Sequence, residues 1–399
     1  MTVTTADFVI IGGGIAGITI ALEIRRRQPR ASIMVFEKDA RCGLHASGRN
    51  SGVLHAGFYY TADSLKARFT RDGSRQMAAY CEARGLSLNR CGKLVVARQE
   101  KDIAVFDTLL ERAGANGVRL ERLALDDARR IEPRVKSKGD VLFSPDTMSV
   151  DPQEVMRSLI EDARHTGISI RTGQSFMGRD GETLRIGQDR VQAGFVINAA
   201  GLYADQIAKA FGFCQNYTIM PFKGLYLFGR HPGSVATNIY PVPDIANPFL
   251  GVHYTVSANG RISIGPTAIP AFWREHYRGF SGFSLRELLA ITSRQLGLLV
   301  RNDFGFRGLA WQEIPKYLKS TMIKLAGELA ENPEQDEFDQ WGPAGIRAQL
   351  VNIRDHSLEM DFVWEGDEHS FHVLNAVSPA FTCSLALSEY FVDQFEVTL

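Results

Sequence analysis

Three glycines near the start of the chain have the spacing of a turn that binds the phosphates of a dinucleotide. Gly12, Gly14 and Gly17 lie in the segment GGGIAG. In such turns the first glycine allows a tight bend, the second lets an anion approach the backbone, and the third lets a helix pack closely. Glu37 follows about 20 residues later, where an acid accepts hydrogen bonds from ribose hydroxyls and disfavours a 2′-phosphate. The pattern indicates binding of an adenine dinucleotide.

A strand, a helix and a second strand must position these glycines. Asp7–Ile11 is a short apolar run with β-branched residues, and Ile15–Arg27 has helical periodicity. A second apolar run, Ser32–Phe36, ends immediately before the acid. The first amides of the helix, at Ile15 and Ala16, are therefore expected to face the anion.

Two later segments favour FAD over NAD. Phe195–Gly201 (FVINAAG) predicts a buried strand entering a tight turn at Ala200 and Gly201, beside the same dinucleotide. Near the end of the sequence, a predicted strand Phe371–Ala376 is followed by an apolar helix, Ala380–Phe395. A helix N-terminus would stabilise the negative charge that a flavin gains on accepting a hydride. A core helix without a ligand is the alternative for this last segment.

Composition excludes several classes of function. The 399 residues carry 45 Lys plus Arg and 45 Asp plus Glu, so no net charge attracts a nucleic acid. The five cysteines lie far apart and form no CxxC pair or zinc-like cluster, which predicts reduced thiols and no metal site. The first residues show no signal or transit pattern, which predicts a bacterial-type cytoplasmic protein.

The order of these segments predicts an α/β protein, α+β overall, with two domains. The first is a discontinuous Rossmann-like FAD-binding domain built from residues 1–80, 140–215 and 336–399. The second is an inserted domain of antiparallel sheet plus helices that binds the substrate, formed by residues 81–139 and 216–335.

The inserted domain is predicted from three alternating runs and two helical ones. Tyr217–Phe228, Pro248–Thr255 and Arg261–Gly265 alternate like antiparallel strands, and Ser284–Val300 and Gln312–Ala330 have helical periodicity. We favour burial of the apolar stripe on these helices. Docking on a bilayer, to reach a quinone, is the alternative.

Seven motifs, in order along the chain, give it a more specific resemblance. They are HASGRNSGVLHAGFYY (45–60), GKLVVA (92–97), PFKGLYL (221–227), NIYPVPD (238–244), PFLGVHY (248–254), GPAGIRAQ (342–349) and NAVSPAFT (375–382). With these motifs the chain resembles, nearly end to end, the L-2-hydroxyglutarate dehydrogenase/oxidase family, a branch of the D-amino-acid-oxidase-like superfamily of FAD oxidoreductases. Two departures are local: Lys223 and Leu225 stand where close relatives are expected to carry Arg and an acid, and Phe381 stands where the family often has a small residue.

The resemblance implies oxidation of L-2-hydroxyglutarate to 2-oxoglutarate, with a hydride passing from C2 to flavin N5. Electrons would then pass to oxygen or to a quinone-type acceptor, and peripheral contact with the inner membrane stays open, as does the oligomeric state. Two alternatives are an amine or amino-acid oxidase of the same superfamily and a flavin-binding module without redox turnover.

The implied reaction needs a base and cations. Loss of the hydroxyl proton as the hydride leaves requires an acceptor, for which His253 is the first choice and His55 the second. Two buried carboxylates of the substrate need positive partners, predicted to be Arg347 and Lys223. Tyr60 is predicted to hydrogen-bond the substrate.

The resemblance also implies a set of FAD contacts from three parts of the chain. Non-covalent FAD is favoured, and a bond from His45 to the flavin 8α carbon is the alternative. The predicted contacts are Gly12, Gly14, Ile15, Ala16, Gly17, Glu37, Lys38, His45, Ser47, Asn50, Ser51, Gly52, Ser175, Ala200, Gly201, Pro379, Ala380, Phe381 and Thr382.

Overall fold

A computed structural model describes most of the chain. The described residues are 3–231, 233–243, 250–331 and 337–396. The first two residues of the motif PFLGVHY, Pro248 and Phe249, and the last of NIYPVPD, Asp244, lie outside them.

The chain divides into two compact units, each made of separate segments. The first unit comprises residues 1–49, 152–221 and 347–399, and the second comprises residues 50–151 and 222–346. Both units are therefore discontinuous.

The unit boundaries differ from those expected from the sequence. The chain first passes from the first unit to the second after Arg49, rather than after residue 80 as predicted. The polar loop residues Asn50, Ser51 and Gly52 therefore belong to the second unit. No change in composition marks this point in the sequence.

An eight-stranded sheet forms the core of the first unit. Its central strand, Val3–Ile11, pairs in parallel with Ile33–Phe36 on one side and Asp189–Asn198 on the other. The last four residues of the central strand are all buried, as expected of a parallel strand covered on both faces. The predicted strands at residues 7–11 and 32–36 are thus confirmed. The remaining strands of this sheet are Ser169–Arg171, Phe176–Asp180, Thr183–Ile186, Val363–Gly366 and Ser370–Asn375.

Four helices accompany this sheet. Ile15–Arg27 has the predicted bounds, and the last helix, Ala380–Glu396, begins at the predicted residue. The ring of Phe195 on a central strand stacks on Phe395 of that last helix, with centroids 5.0 Å apart. The other two helices are Pro152–His165 and Ala204–Ala210, and Ser357–Leu358 is a short strand of the same unit.

The second unit is built on another eight-stranded sheet, which is mixed rather than antiparallel. Lys93–Val96 and Asn238–Pro241 run parallel, so the prediction of an antiparallel sheet is wrong at this pair. These strands are far apart in sequence, and no hairpin forces them to run in opposite directions. The other strands of the sheet are Glu121–Leu123, Val141–Ser144, Leu227–Gly229, His253–Val256, Ile262–Gly265 and Phe338–Trp341.

Smaller strands and the helices complete the second unit. The predicted strand at residues 217–228 is two strands, Tyr217–Gly224, which contains a unit boundary, and Leu227–Gly229. Gly345–Asn352 contains the other boundary. The remaining elements are the strands Val53–Leu54, Leu88–Asn89, Met148–Val150 and Ile269–Pro270 and the helices Leu65–Ala83, Glu100–Asn116 and Leu125–Ile131.

One of the two helices predicted near the end of this unit is interrupted. Leu285–Arg301 is confirmed, and the Ser284 hydroxyl accepts a hydrogen bond from the Glu287 amide at its start. The single helix predicted over residues 312–330 is wrong, because the chain forms Phe306–Glu313, a 3-10 turn and then Lys319–Ala326. Pro315 lies in the turn, where its ring removes a backbone donor.

The burial predicted for the apolar stripe on these helices is also wrong. Trp311 is 79% exposed and Val300 is 72% exposed. We call the exposed apolar side chains of residues 280–318 the apolar helical surface: Phe280, Phe283, Leu285, Leu289, Leu296, Leu299, Val300, Phe304, Trp311, Ile314, Tyr317 and Leu318. Among the described residues, no helix is both long and apolar enough to span a membrane.

Candidate cofactor site and histidine cluster

The glycine turn of the first unit is closely packed at two positions and open at the third. A Cβ atom added to Gly12 would lie 2.5 Å from the Ala199 carbonyl oxygen, and one added to Gly17 would lie 2.0 Å from the Gly12 oxygen. A Cβ atom on Gly14 would meet Ser47 Oγ at 3.1 Å and nothing else within 4 Å. The turn therefore leaves space beside Gly14 for a ligand to approach.

The helix that follows this turn retains donors for an anion. The Ile15 amide, which was predicted to face the anion, donates instead to Ser47 Oγ at 2.9 Å. The amides of Gly14 and Ala16 have no acceptor within the part of the chain that the structure describes. The first turn carries no acidic side chain. These features fit a phosphate group at the helix N-terminus.

Glu37 is fixed in place at the end of its strand. Its Oε2 accepts from the Gly13 amide at 2.8 Å and its Oε1 from the Asp39 amide at 2.9 Å. The side chain is buried. Because each carboxylate oxygen has a second lone pair, both can still accept a hydrogen bond from a ribose hydroxyl.

The loop after Glu37 holds His45 through a carboxylate. His45 Nε2 lies 2.6 Å from Asp39 Oδ2, and Lys38 Nζ lies 3.2 Å from the same carboxylate. All three side chains are half-buried. Attachment of a flavin at Nε2 would break the pair with Asp39, so this contact favours non-covalent binding.

The second predicted turn adjoins the glycine turn. The Ala199 amide donates to the Ile11 carbonyl at 2.9 Å, and the Ala200 amide donates to Asn198 Oδ1 at 3.2 Å. Gly201 has a φ of +53°, in the left-handed region that favours glycine. The sequence interpretation, that this segment meets the same dinucleotide site, agrees with this geometry.

The remaining predicted contacts lie next to the strand Phe176–Asp180 and at the start of the last helix of the first unit. Ser175 is exposed, and the preceding residue, Gln174, donates its amide to the Glu37 carbonyl at 2.9 Å. At the start of the last helix, the Phe381 amide has no acceptor among the described residues, while Thr382 is buried. Pro379 and Ala380 precede it. Their contact with a cofactor remains a prediction.

The second unit brings both candidate base histidines into one aromatic cluster. The His253 ring stacks on Tyr240 with centroids 3.7 Å apart. Lys93 Nζ lies 4.3 Å from the Tyr240 centroid, 5.1 Å from the Tyr59 centroid and 3.5 Å from His55 Nδ1. We call these five residues the histidine cluster. Sequence reasoning named its two histidines and missed Lys93, Tyr59 and Tyr240.

The two imidazoles of the cluster are held neutral. His253 is 4% exposed, and burial lowers its pKa to about 3, with a smaller effect from the charge of Lys93. Burial, then the charge of Lys93, lowers the pKa of His55 well below its ordinary value. His253 Nδ1 lies 2.9 Å from the Gly251 carbonyl oxygen. Because a carbonyl can only accept, Nδ1 carries the hydrogen and Nε2 presents a lone pair.

The other predicted substrate residues are divided between the units. Tyr60 lies near the cluster. The pKa of Tyr59 is raised mainly by burial, then by Tyr240, and least by Tyr60. Lys223, also in the second unit, is 7% exposed, and burial lowers its pKa. Arg347 belongs to the first unit, where its Nε donates to Gln349 Oε1 at 3.0 Å.

His276 lies near Lys223. Burial and then the charge of Lys223 lower the pKa of His276 to about 4. Its ring stacks on Trp273 with centroids 3.8 Å apart. The stack explains why this histidine is half-buried.

Comparison with known proteins identifies the family. A family model described as FAD dependent oxidoreductase matches residues 7–394. The chain belongs to this family of FAD dependent oxidoreductases. It is 37% identical to the mitochondrial L-2-hydroxyglutarate dehydrogenase of Bos taurus, covering 98% of this chain and 88% of that protein. It is 34% identical to the L-2-hydroxyglutarate dehydrogenase of Escherichia coli K12, covering 98% and 94%.

Solved structures share the fold at low sequence identity. An L-alpha-glycerophosphate oxidase from Mycoplasma pneumoniae with FAD bound has a TM-score of 0.79 at 20% identity, covering 98% of this chain and 95% of that one. A glycine oxidase from Geobacillus kaustophilus has a TM-score of 0.74 at 18% identity, covering 98% and 94%. FAD is the cofactor of this family, and the open glycine turn fits its diphosphate.

Proposed function

We propose that this protein oxidises L-2-hydroxyglutarate to 2-oxoglutarate, with FAD accepting the hydride. The observation that carries the proposal is His253, a buried and neutral imidazole whose Nε2 lone pair is available because Nδ1 donates to the Gly251 carbonyl. The relatives named above as L-2-hydroxyglutarate dehydrogenases support the choice of substrate.

His253 is proposed to accept the hydroxyl proton of the substrate at Nε2. FAD, when bound, supplies an acceptor for the C2 hydride. A pKa near 3 makes His253 a weak base. A substrate that brings two carboxylates raises this pKa, because a nearby anion favours the protonated imidazole. The base is therefore strengthened by the binding of its own substrate.

Arg347 and Lys223 are proposed to bind the two carboxylates. Lys223 is buried and its pKa is lowered by burial, so an anion beside it restores a stable charge. Arg347 offers a planar guanidinium that can bind a carboxylate through two parallel hydrogen bonds. Tyr60 is proposed to donate a hydrogen bond to the substrate.

Anaerobic bleaching of the flavin tests the substrate. We expect the absorbance near 450 nm to fall when L-2-hydroxyglutarate is added to the oxidised holoenzyme without oxygen, and D-2-hydroxyglutarate and L-glutamate to bleach it far more slowly. Faster bleaching by an amino acid would support the amino-acid oxidase alternative and contradict the proposal. A bound flavin that no substrate bleaches would indicate a redox-silent module.

We propose further that the apolar helical surface docks on an anionic membrane and that a quinone-type molecule accepts the electrons. Exposed basic side chains are interleaved with the apolar ones, whereas the acids of the same segment, Glu287, Asp303 and Glu313, are buried or half-buried beside cations. Apolar insertion and attraction to anionic lipid then act together. The exposed cations are Arg278, Arg286, Arg294, Arg301, Arg307 and Lys324.

Vesicle flotation tests this surface. We expect the holoenzyme to float with vesicles of phosphatidylcholine and phosphatidylglycerol, and the double variant Trp311→Glu, Leu318→Glu to float at least about 10-fold less, since both residues are exposed apolar anchors. Met177→Glu, at a residue of the first unit that is 63% exposed, is the matched control and should float like the wild type. Flotation that is equal in all three proteins, or absent in the wild type, would refute the proposal.

A further inference from the structure

Lys93 carries a fully buried amine. It is 0% exposed, and no carboxylate among the described residues forms an ion pair with it. Its surroundings are the rings of Phe58, Tyr59 and Tyr240, together with His55. Burying an ammonium costs several kcal/mol unless it is compensated, and aromatic faces compensate it in part. A hydrophobic residue would be more stable here, so the amine is expected to have a function.

The amine acts on both histidines of the cluster. Its Nζ is 3.5 Å from His55 Nδ1, a long contact for a hydrogen bond but close for a charge. It also lies over the Tyr240 ring, on which His253 stacks. An ammonium can only donate, so the His55 nitrogen facing it must present a lone pair.

We infer that Lys93 is a positioning residue for the histidine cluster: its ammonium, which faces His55 Nδ1, places the His55 hydrogen on Nε2. The inference rests on the proposed function and gives the histidines opposite roles. His253 presents a lone pair at Nε2 and takes the hydroxyl proton. His55 carries its hydrogen at Nε2 and acts as a hydrogen-bond donor.

The titratable groups around Lys93 are the other members of the cluster and Cys91. Burial lowers the pKa of Lys93 to about 7, with Cys91 acting weakly in the opposite direction. Burial raises the pKa of Tyr59 and Tyr240, so both hydroxyls stay neutral in the physiological range. At pH 6 the amine is therefore mostly charged, and the effect on His55 is largest there.

NMR of the holoenzyme with 15N-labelled histidine tests the inference without turnover. Two-bond couplings show which ring nitrogen carries the hydrogen, and the His55 signals are assigned by their loss in His55→Gln. At pH 6 we expect Nε2–H at His55 in the wild type and in Lys93→Arg, which keeps the charge. In Lys93→Met we expect this preference to be lost and the His55 pKa to rise, because the charge of Lys93 that helps to lower it is removed.

Lys138→Met is the matched control, because Lys138 is an exposed lysine of the same unit. It should leave the His55 spectrum unchanged. An Nε2–H tautomer and an unaltered His55 titration in Lys93→Met would overturn the inference. If L-2-hydroxyglutarate failed to bleach the wild-type flavin, the proposed function would be refuted. The NMR result needs no turnover, so it would still decide whether Lys93 sets the His55 tautomer.

The stability of Lys93→Met separates a functional from a structural role. Unfolding restores the ordinary pKa of Lys93 from about 7, so the unfolded chain binds more protons between about pH 7 and 10. The free energy of unfolding of the wild type therefore rises with pH over this interval, and Lys93→Met should lack this rise. Its Tm at pH 6.5 should equal or exceed that of the wild type, whereas its rate of flavin reduction should fall about 10-fold or more.

A lower Tm together with an unchanged rate would show that Lys93 is structural and would overturn the inference. Lys93→Gln provides a second uncharged variant, with a different side-chain shape, on which the same spectra and melting curves are measured. If Lys93→Met and Lys93→Gln behave alike, and Lys93→Arg behaves like the wild type, the effect is due to the charge.

Discussion

Replacing His253 by asparagine is expected to slow flavin reduction by L-2-hydroxyglutarate about 100- to 10,000-fold, because general-base catalysis contributes a factor of this size. An asparagine amide can still donate to the Gly251 carbonyl, which His253 Nδ1 contacts at 2.9 Å. It has no basic nitrogen to accept the substrate proton. The protein should therefore remain folded, and FAD should remain bound, while the chemical step fails.

Anaerobic stopped-flow absorbance measures this step directly, since it follows the flavin alone. His369→Asn is the matched control: this histidine of the first unit has a side chain that is 75% exposed. It should reduce its flavin at the wild-type rate. A loss of less than 10-fold in His253→Asn, with FAD bound, would mean that another group takes the proton.

Two alanine substitutions in the glycine turn are expected to impair FAD binding in different ways. In Gly17→Ala the new Cβ would lie 2.0 Å from the Gly12 oxygen, so the helix must move away from the turn. We expect a lower Tm and no bound flavin. In Gly14→Ala the new Cβ meets Ser47 Oγ alone, at 3.1 Å, and the backbone φ of −79° suits alanine. We expect a folded protein whose affinity for FAD falls about 10- to 100-fold, or about 1.4 kcal/mol per factor of ten.

The ratio of flavin absorbance to protein, and the melting temperature of the FAD-free form, distinguish the two cases. Gly114→Ala is a suitable comparison for general effects of glycine replacement, because an added Cβ meets nothing within 4 Å there and the residue lies inside the helix Glu100–Asn116. Wild-type FAD affinity in Gly14→Ala would contradict the placement of a phosphate beside that residue.

The sequence was sufficient where local rules determine the structure. The strand, the glycine turn and the helix Ile15–Arg27 follow from residue types that permit little else. The end of the helix Phe306–Glu313 could have been anticipated, since Pro315, the fourth residue of the helix predicted over residues 312–330, lacks a backbone donor. The boundary after Arg49 could not, because it depends on contacts distant in sequence.

Two other features depend on tertiary structure in a way that periodicity does not reveal. An apolar stripe on a helix predicts a face that avoids water but not what covers it, so the exposure of Trp311 and Val300 was missed. Lys93 opens the strand KLVV, where a lysine ordinarily marks an exposed position. Its burial requires the aromatic rings that other strands bring to it, and the motif GKLVVA was the one available signal.

The interleaving of the two units has a consequence for synthesis. The strand Ser370–Asn375 pairs with Asp189–Asn198, and Arg27 on the first helix forms an ion pair with Asp393 on the last, at 2.6 Å. During synthesis, the last helix, which contacts the first one, therefore leaves the ribosome after nearly all other residues. Until then the nascent chain exposes an unpaired strand and an uncovered helix face, and contacts between such distant segments form slowly. Chaperones that hold emerging polypeptides should accordingly increase the yield of active enzyme during expression.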